Sequence, residues 1–385
     1  MRILRIMESL DPETGGPVSV FSAAVISVVA AGADVECLTL QPPDKDITKF
    51  PDYERMVKQG VKVHAFRSRF QALLFVVRSI RRFDVVHVDG CWPFLCVVAV
   101  FIAKVTGRAT VMSPHESLTQ EELRRTKSNF RLAIKRLLRL YHLAMTDCVV
   151  FSSALELRDS LVHSNAVVIR HPVFDDSPAK PPVGLREGFS VPGRIQLGYL
   201  GRFHFKKRLE NIVGAAVRTP DVGLLVAGTG PKEYEESVRA LSRTEDRVKW
   251  LGFVQKSQRE EFFRSIDFLV LASEYECFGM AAAEALVRGI PVIVSERVGI
   301  ADDVREMRGG FVVEGGVESL VSAFTRCSNL TLVQYQELQK NALAAARLYS
   351  FSVHASAQLG VYVALRTSSD HPDRRTVVRE EFGSD

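Results

Sequence analysis

The chain has 385 residues, of which 46% are apolar and 25% charged, the composition of a globular protein and not of a disordered one. This length suits two α/β domains better than a single core. The longest apolar stretch, 95–105, is about half of what a bilayer crossing needs. The net charge of +5 sits wholly in the first half, where residues 1–180 carry 24 Lys/Arg against 19 Asp/Glu and residues 181–385 carry 26 of each.

In chain order, Arg2–Met7 reads as a buried strand. It does not read as a signal peptide, because Arg5 interrupts it and Glu8 and Asp11 follow without a small-residue cleavage site. A cytoplasmic location is the default expectation. Gly15-Gly16-Pro17 then opens a helix, with Pro at its first position and backbone that a phosphate can approach. The G-x-G-x-x-G spacing of dinucleotide enzymes is absent. Further strand-like runs lie at 35–40, 61–66, 85–88, 109–112, 148–151 and 167–170, separated by helical stretches such as 17–31 and 121–145. Two strand ends carry reactive side chains: His87 and Asp89 in H-V-D-G-C-W, and His115 in S-P-H-E. Either histidine reads equally well as a hydrogen-bonded loop residue. The six cysteines are scattered, with no Cys-x-x-Cys and no His at zinc spacing, as expected of reduced thiols with no structural metal.

The Pro-rich run Asp175–Pro182 reads as a linker. The strand pattern restarts at 195–200, 223–227, 248–251, 268–271, 291–295 and 310–313. Such alternation is the pattern of parallel sheets wrapped by helices, with ligands at the carboxyl ends of the strands.

Three motifs in this second half carry chemistry. In S-E-Y-E-C-F-G-M-A-A-A-E, a strand ends before a loop holding Glu276, and a helix begins near Gly279 with Glu284 on it. The amides at such a helix start form an anion site, and two carboxylates can hold two sets of hydroxyls. A surface helix with two solvated glutamates fits the periodicity equally. In G-R-F-H-F-K-K-R-L, cations including Arg202 and Lys207 crowd a helix start, against its dipole, an arrangement suited to a diphosphate. The bland reading is an exposed basic loop. Gly228-Thr229-Gly230 is a strand-to-helix turn of a common kind.

Taken together, these motifs resemble the retaining glycosyltransferases of family four, with the GT-B fold: two Rossmann-like, doubly wound domains facing across a cleft. The family's Glu, seven residues, Glu element is similar to Glu276 and Glu284. Its G-R-x-x-x-x-K-G element is similar to Gly201, Arg202 and Lys207, with Arg208 where glycine is usual. The resemblance implies an acceptor-binding domain at 1–176, a linker at 177–194 and a nucleotide-sugar domain at 195–348. A helix at 349–366 would cross back to the first domain, and 367–385 would be a frayed tail. It implies that Arg202 and Lys207 neutralise the leaving diphosphate, that Glu276 holds sugar hydroxyls and that Glu284 holds the ribose. Backbone amides at Phe278, Gly279 and Met280 would complete the cradle, with Gly15, Gly16, Gly201, Gly228 and Gly230 nearby and His115 at the sugar. The expected enzyme is a metal-independent hexosyltransferase without a cofactor, taking a nucleotide-diphosphate sugar and a glycan or lipid-linked acceptor in polysaccharide or cell-surface glycan biosynthesis. A nucleotide-sugar epimerase and a non-catalytic partner subunit are the alternatives.

Between Lys62 and Arg139 basic residues outnumber acidic ones 15 to 5. The expected helix 121–145 is crowded with cations, which makes an anionic membrane surface a candidate partner. A solvated face is the bland alternative. A nucleic-acid partner is not expected, since no recognition module accompanies the charge.

Overall fold

The computed structural model describes residues 1–11, 16–160, 165–174 and 195–367. The chain divides into two compact units, Val173–Tyr349 and a first unit built from Met1–Pro172 and the segment from Ser350 onward. The expected linker 177–194 lies outside the described residues, as does the expected tail except for Thr367.

The first unit holds strands β1 (Arg2–Ser9), β2 (Asp34–Leu40), β3 (Lys62–Phe66), β4 (Val85–Asp89), β5 (Ala109–Ser113), β6 (Cys148–Phe151) and β7 (Ala166–Val168). They form one parallel sheet in the order β3-β2-β1-β4-β5-β6-β7. The second unit holds β8 (Ile195–Leu200), β9 (Val222–Ala227), β10 (Val248–Gly252), β11 (Phe268–Leu271), β12 (Val292–Ser295) and β13 (Gly310–Val313). These are parallel in the order β10-β9-β8-β11-β12-β13. Helices on both faces bury the central strands, which explains why these read as unbroken apolar runs rather than alternating ones. Leu4, Ile6, Val86 and Val88 centre one core, and Leu197, Tyr199, Leu224 and Leu269 the other.

In each sheet the chain reverses its direction of winding once, between β1 and β4 and between β8 and β11. The loops after those strands flank the crevice where doubly wound sheets bind ligands. After β13 the chain closes with helix Phe351–Thr367, which belongs to the first unit and packs along helix Gly16–Ala30. Ser27 Oγ lies 2.7 Å from His354 Nδ1, and Tyr362 Oη lies 2.6 Å from His87 Nδ1. Burial, aggravated by the Arg5 charge, holds the His354 imidazole down at about 3, so it is neutral at this contact.

One expected element differs. The stretch 121–145 is two helices, Gln120–Arg124 and Asn129–Met145. Thr119 Oγ1 accepts from the Glu122 amide and Ser128 Oγ from the Arg131 amide. Each hydroxyl caps a new start, which a composition dominated by Arg, Leu and Lys conceals.

Candidate functional site

In the second unit, two strand ends at the winding reversal bring the sequence-predicted groups together. β8 ends at Leu200 and leads through Gly201 and Arg202 into a short 3-10 turn, Phe205–Lys207, before helix Leu209–Val217. β11 leads through Ser273–Phe278 into helix Met280–Val287. Lys207 Nζ forms an ion pair with Glu276 Oε2, and Ser273 Oγ donates to the same oxygen at 3.3 Å. Both partners are about four-fifths buried, at 23% and 20% side-chain exposure, so the pair is screened less than a surface one.

Arg202 differs from its neighbours. It is exposed, and its guanidinium has no hydrogen bond or ion pair among the described residues. The expected cation cluster is therefore compensated in part by the chain itself, with Glu276 against Lys207 and Glu274 against Arg208 at 3.0 Å. Gly279 has φ +110, and a Cβ there would meet Val298 Cγ1 at 2.7 Å. It caps helix Met280–Val287, and among the described residues the amides of Gly279 and Met280 have no backbone acceptor. The Phe278 side chain is buried against Tyr349, with ring centroids 5.6 Å apart, which leaves its backbone as the part that can face a ligand.

Glu284 is not a solvated carboxylate. Arg259, from helix Lys256–Ser265, donates to Glu284 Oε2 through Nε at 3.0 Å and also through Nη2. The Glu284 charge raises the Arg259 pKa against the opposing effect of burial. Nothing in the sequence marks Arg259 as part of the site: it lies 25 residues upstream in an ordinary charged helix. Gly228 and Gly230 serve packing. A Cβ at Gly228 would meet the Gly201 carbonyl oxygen at 1.9 Å, and one at Gly230 the Phe203 carbonyl oxygen at 2.2 Å. The β8 and β9 loops are thereby pressed together, with Phe203 donating its amide to Thr229 O at 2.8 Å.

Arg208, at the position where the resembled family has glycine, adopts φ 49 and ψ 40. The left-handed conformation costs a side-chain-bearing residue about 1–2 kcal/mol, whereas a half-exposed ion pair such as that with Glu274 returns about 0–1 kcal/mol. Arg208→Gly is therefore expected to be neutral or stabilising by about 1 kcal/mol. Arg208→Ala, which keeps the strain and loses the pair, is expected to destabilise. Urea unfolding of a Trp92→Phe background, followed through Trp250 of the second unit, measures both. A clear loss in Arg208→Gly would contradict this balance of strain and pairing.

The first unit holds its own polar cluster at the β1/β4 reversal. Arg5 on β1 donates to both oxygens of Asp89 on β4, at 2.8 and 2.9 Å from Nη2 and 3.2 Å from Nε. Both side chains are buried. Burial alone would raise the Asp89 pKa, but Arg5 and the His115 hydrogen bond overcome this and hold it below the usual carboxylate range. His115 Nε2 lies 3.0 Å from Asp89 Oδ1. His115 and Glu116 have φ 48 and 74, two successive left-handed residues without glycine, a strain that collects at functional loops. Glu156 holds the loop in place by accepting the Glu116 amide at 2.7 Å and the Ser152 amide at 2.8 Å. His87 is fully occupied: its ring nitrogens meet Tyr362 Oη and, at 2.9 Å, Ser113 Oγ. Of the two histidines, His87 is thus a structural tie, while His115 keeps one nitrogen for a ligand. Gly16 opens its helix in open space, with nothing within 4 Å of where a Cβ would stand, and Gly15 lies outside the described residues.

Comparison with known proteins agrees with this architecture. Residues 186–346 match the family "Glycosyl transferases group 1", and residues 15–168 match the "Glycosyl transferase 4-like domain". The chain belongs to the group 1 glycosyltransferases and has the GT-B fold. It is 26% identical over 247 residues to the uncharacterized glycosyltransferase YqgM of Bacillus subtilis, covering 61% of this chain and 65% of that protein. It is 28% identical over 195 residues to mannosylfructose-phosphate synthase of Agrobacterium fabrum, covering 45% and 42%. These matches span less than two thirds of either relative. Among solved structures, Anabaena Alr3699/HepE in complex with UDP and glucose superposes with a TM-score of 0.76 at 17% identity, covering 94% of this chain and all of that one.

Proposed function

We propose that the chain is a retaining glycosyltransferase that moves a hexosyl group from a nucleotide-diphosphate donor to a glycan or lipid-linked acceptor, in polysaccharide or cell-surface glycan assembly. The observation that carries this reading is the pairing of Lys207 with Glu276 at the β8/β11 reversal, beside the unpartnered Arg202 and the open amides of Gly279 and Met280. The likeness to a HepE structure holding UDP and glucose supports it.

When the sugar–diphosphate bond breaks, negative charge grows on the leaving diphosphate while the sugar becomes oxocarbenium-like. Arg202, Lys207 and the helix-start amides are preorganised donors for that charge, and such donors lower the barrier because they need no reorganisation at the moment of reaction. No metal is required in this scheme. Glu276 accepts sugar hydroxyls, and Glu284 accepts ribose hydroxyls with the oxygen that Arg259 leaves available. His115, oriented by Asp89, is the proposed sugar contact of the first unit.

Incubation with UDP-, GDP- and ADP-sugars, with and without candidate glycan acceptors, tests the reaction type. Acceptor-dependent release of nucleoside diphosphate, with a glycosylated product of retained anomeric configuration, is expected. Conversion of the donor sugar without acceptor would show an epimerase instead. Donor binding without either reaction across the acceptor set would favour a non-catalytic subunit.

A further inference from the structure

Helix Asn129–Met145 exposes more large apolar side chains than a helix on a water-facing surface calls for. Its buried residues are Arg139 and His142, while Phe130, Ile134, Leu137 and Leu140 are 75%, 41%, 67% and 60% exposed. The inward side is fixed by polar contacts: Tyr141 Oη donates to the Val97 carbonyl at 2.8 Å, and His142 Nε2 lies 2.8 Å from the Cys91 carbonyl oxygen. The outward stripe, at i, i+4, i+7 and i+10, is thus held outward by the packing.

The neighbouring helix Phe94–Val105 packs against it and exposes Phe101 and Val105. The next, Arg69–Ser79, packs on that one and exposes Phe70 and Val77. Three successively packed helices therefore each expose large apolar side chains. Exposed cations lie on the same elements, Arg131 and Arg136 on either side of the stripe, Lys127 just before that helix, and Arg78 and Arg81 at the end of the third helix. Large apolar side chains exposed on neighbouring helices are the kind of surface that marks an interaction site.

We propose that this face of the first unit docks on an anionic lipid bilayer, with the apolar rows entering the headgroup boundary and the cations meeting lipid phosphates. A second copy of the chain fits less well, because the segment 62–139 carries 15 basic against 5 acidic residues and would face itself with like charge. A nucleic acid would use the cations but leaves Leu and Ile rows without a role. No helix among the described residues is long and apolar enough to cross a membrane, so the contact is interfacial. The inference goes beyond the transferase reading and does not depend on it.

The test is sedimentation of the full chain with vesicles of phosphatidylcholine alone, or with roughly one third phosphatidylglycerol, at low and high salt. Binding to the anionic vesicles, weakened by salt, is expected. Phe130→Ser with Leu137→Ser should lower partitioning about tenfold or more, and Arg131→Glu with Arg136→Glu should lower it about as much. Unchanged melting curves in both variants would confirm that the fold is intact. Absence of binding to anionic vesicles, or binding unaffected by the apolar pair, would overturn the proposal. So would a dimer in light scattering that the apolar pair abolishes, or binding of duplex DNA without binding of vesicles.

Discussion

Lys207→Ala is expected to lower turnover by about 10²–10³-fold, the usual loss when one preorganised donor to a developing negative charge is removed. Two effects add in the same direction. The cation proposed to meet the leaving diphosphate is gone, and Glu276, now without its ion pair, presents a charged carboxylate where the diphosphate is proposed to approach. Lys207→Arg keeps the charge in a different shape and should fall between the two. Adding Glu276→Gln to Lys207→Ala separates the effects, because it removes the repulsion without restoring the cation. Glu276→Gln alone should keep nucleotide affinity while losing turnover, because only the proposed contact to the sugar is weakened. Steady-state rates alongside nucleotide affinity for these variants read this out. A Lys207→Ala enzyme within a few-fold of the parent would place the diphosphate elsewhere.

The second large effect concerns stability. Arg5→Leu leaves the Asp89 carboxyl buried, without the charge that keeps it ionised and held only by His115, and breaking a buried pair from one side costs about 3–5 kcal/mol. The first unit should then melt roughly 10 °C lower. Arg5→Leu combined with Asp89→Leu should recover most of the loss, since replacing both charges removes the uncompensated one. The chain has two tryptophans, Trp92 in the first unit and Trp250 in the second. A Trp250→Phe background therefore reports the first unit alone by fluorescence. Arg5→Leu melting like its parent would show that water or other groups solvate Asp89.

The thirteen strands were legible in the sequence because parallel strands covered on both faces must be nearly all apolar, and β4, β6, β9 and β11 are buried along their whole length. The Glu276 and Lys207 motifs were legible for a different reason: each is local, a strand end followed by a loop and a helix start. What escaped was pairing at a distance. Arg5 reads as an interruption in a strand, and nothing in its neighbourhood points to Asp89, 84 residues on. The Arg259–Glu284 pair is hidden in the same way. The break at 125–128 escaped because one hydroxyl at Ser128 outweighs the helical composition around it. The glycines of the β9 loop are expected at the ligand on sequence grounds, yet backbone crowding against Gly201 and Phe203 already requires them.

The most direct test of a nucleotide-sugar site at the β8/β11 reversal is thermal stability against UDP, GDP, ADP and their common sugars. Ligand at about 100 times its Kd adds roughly 2.7 kcal/mol, a shift of several degrees in a domain of this size. The expected result is a shift selective for one base, lost in Arg202→Ala and Glu284→Ala and retained in Glu276→Gln. A shift that survives both alanine substitutions, or none with any nucleotide, would contradict a donor site there.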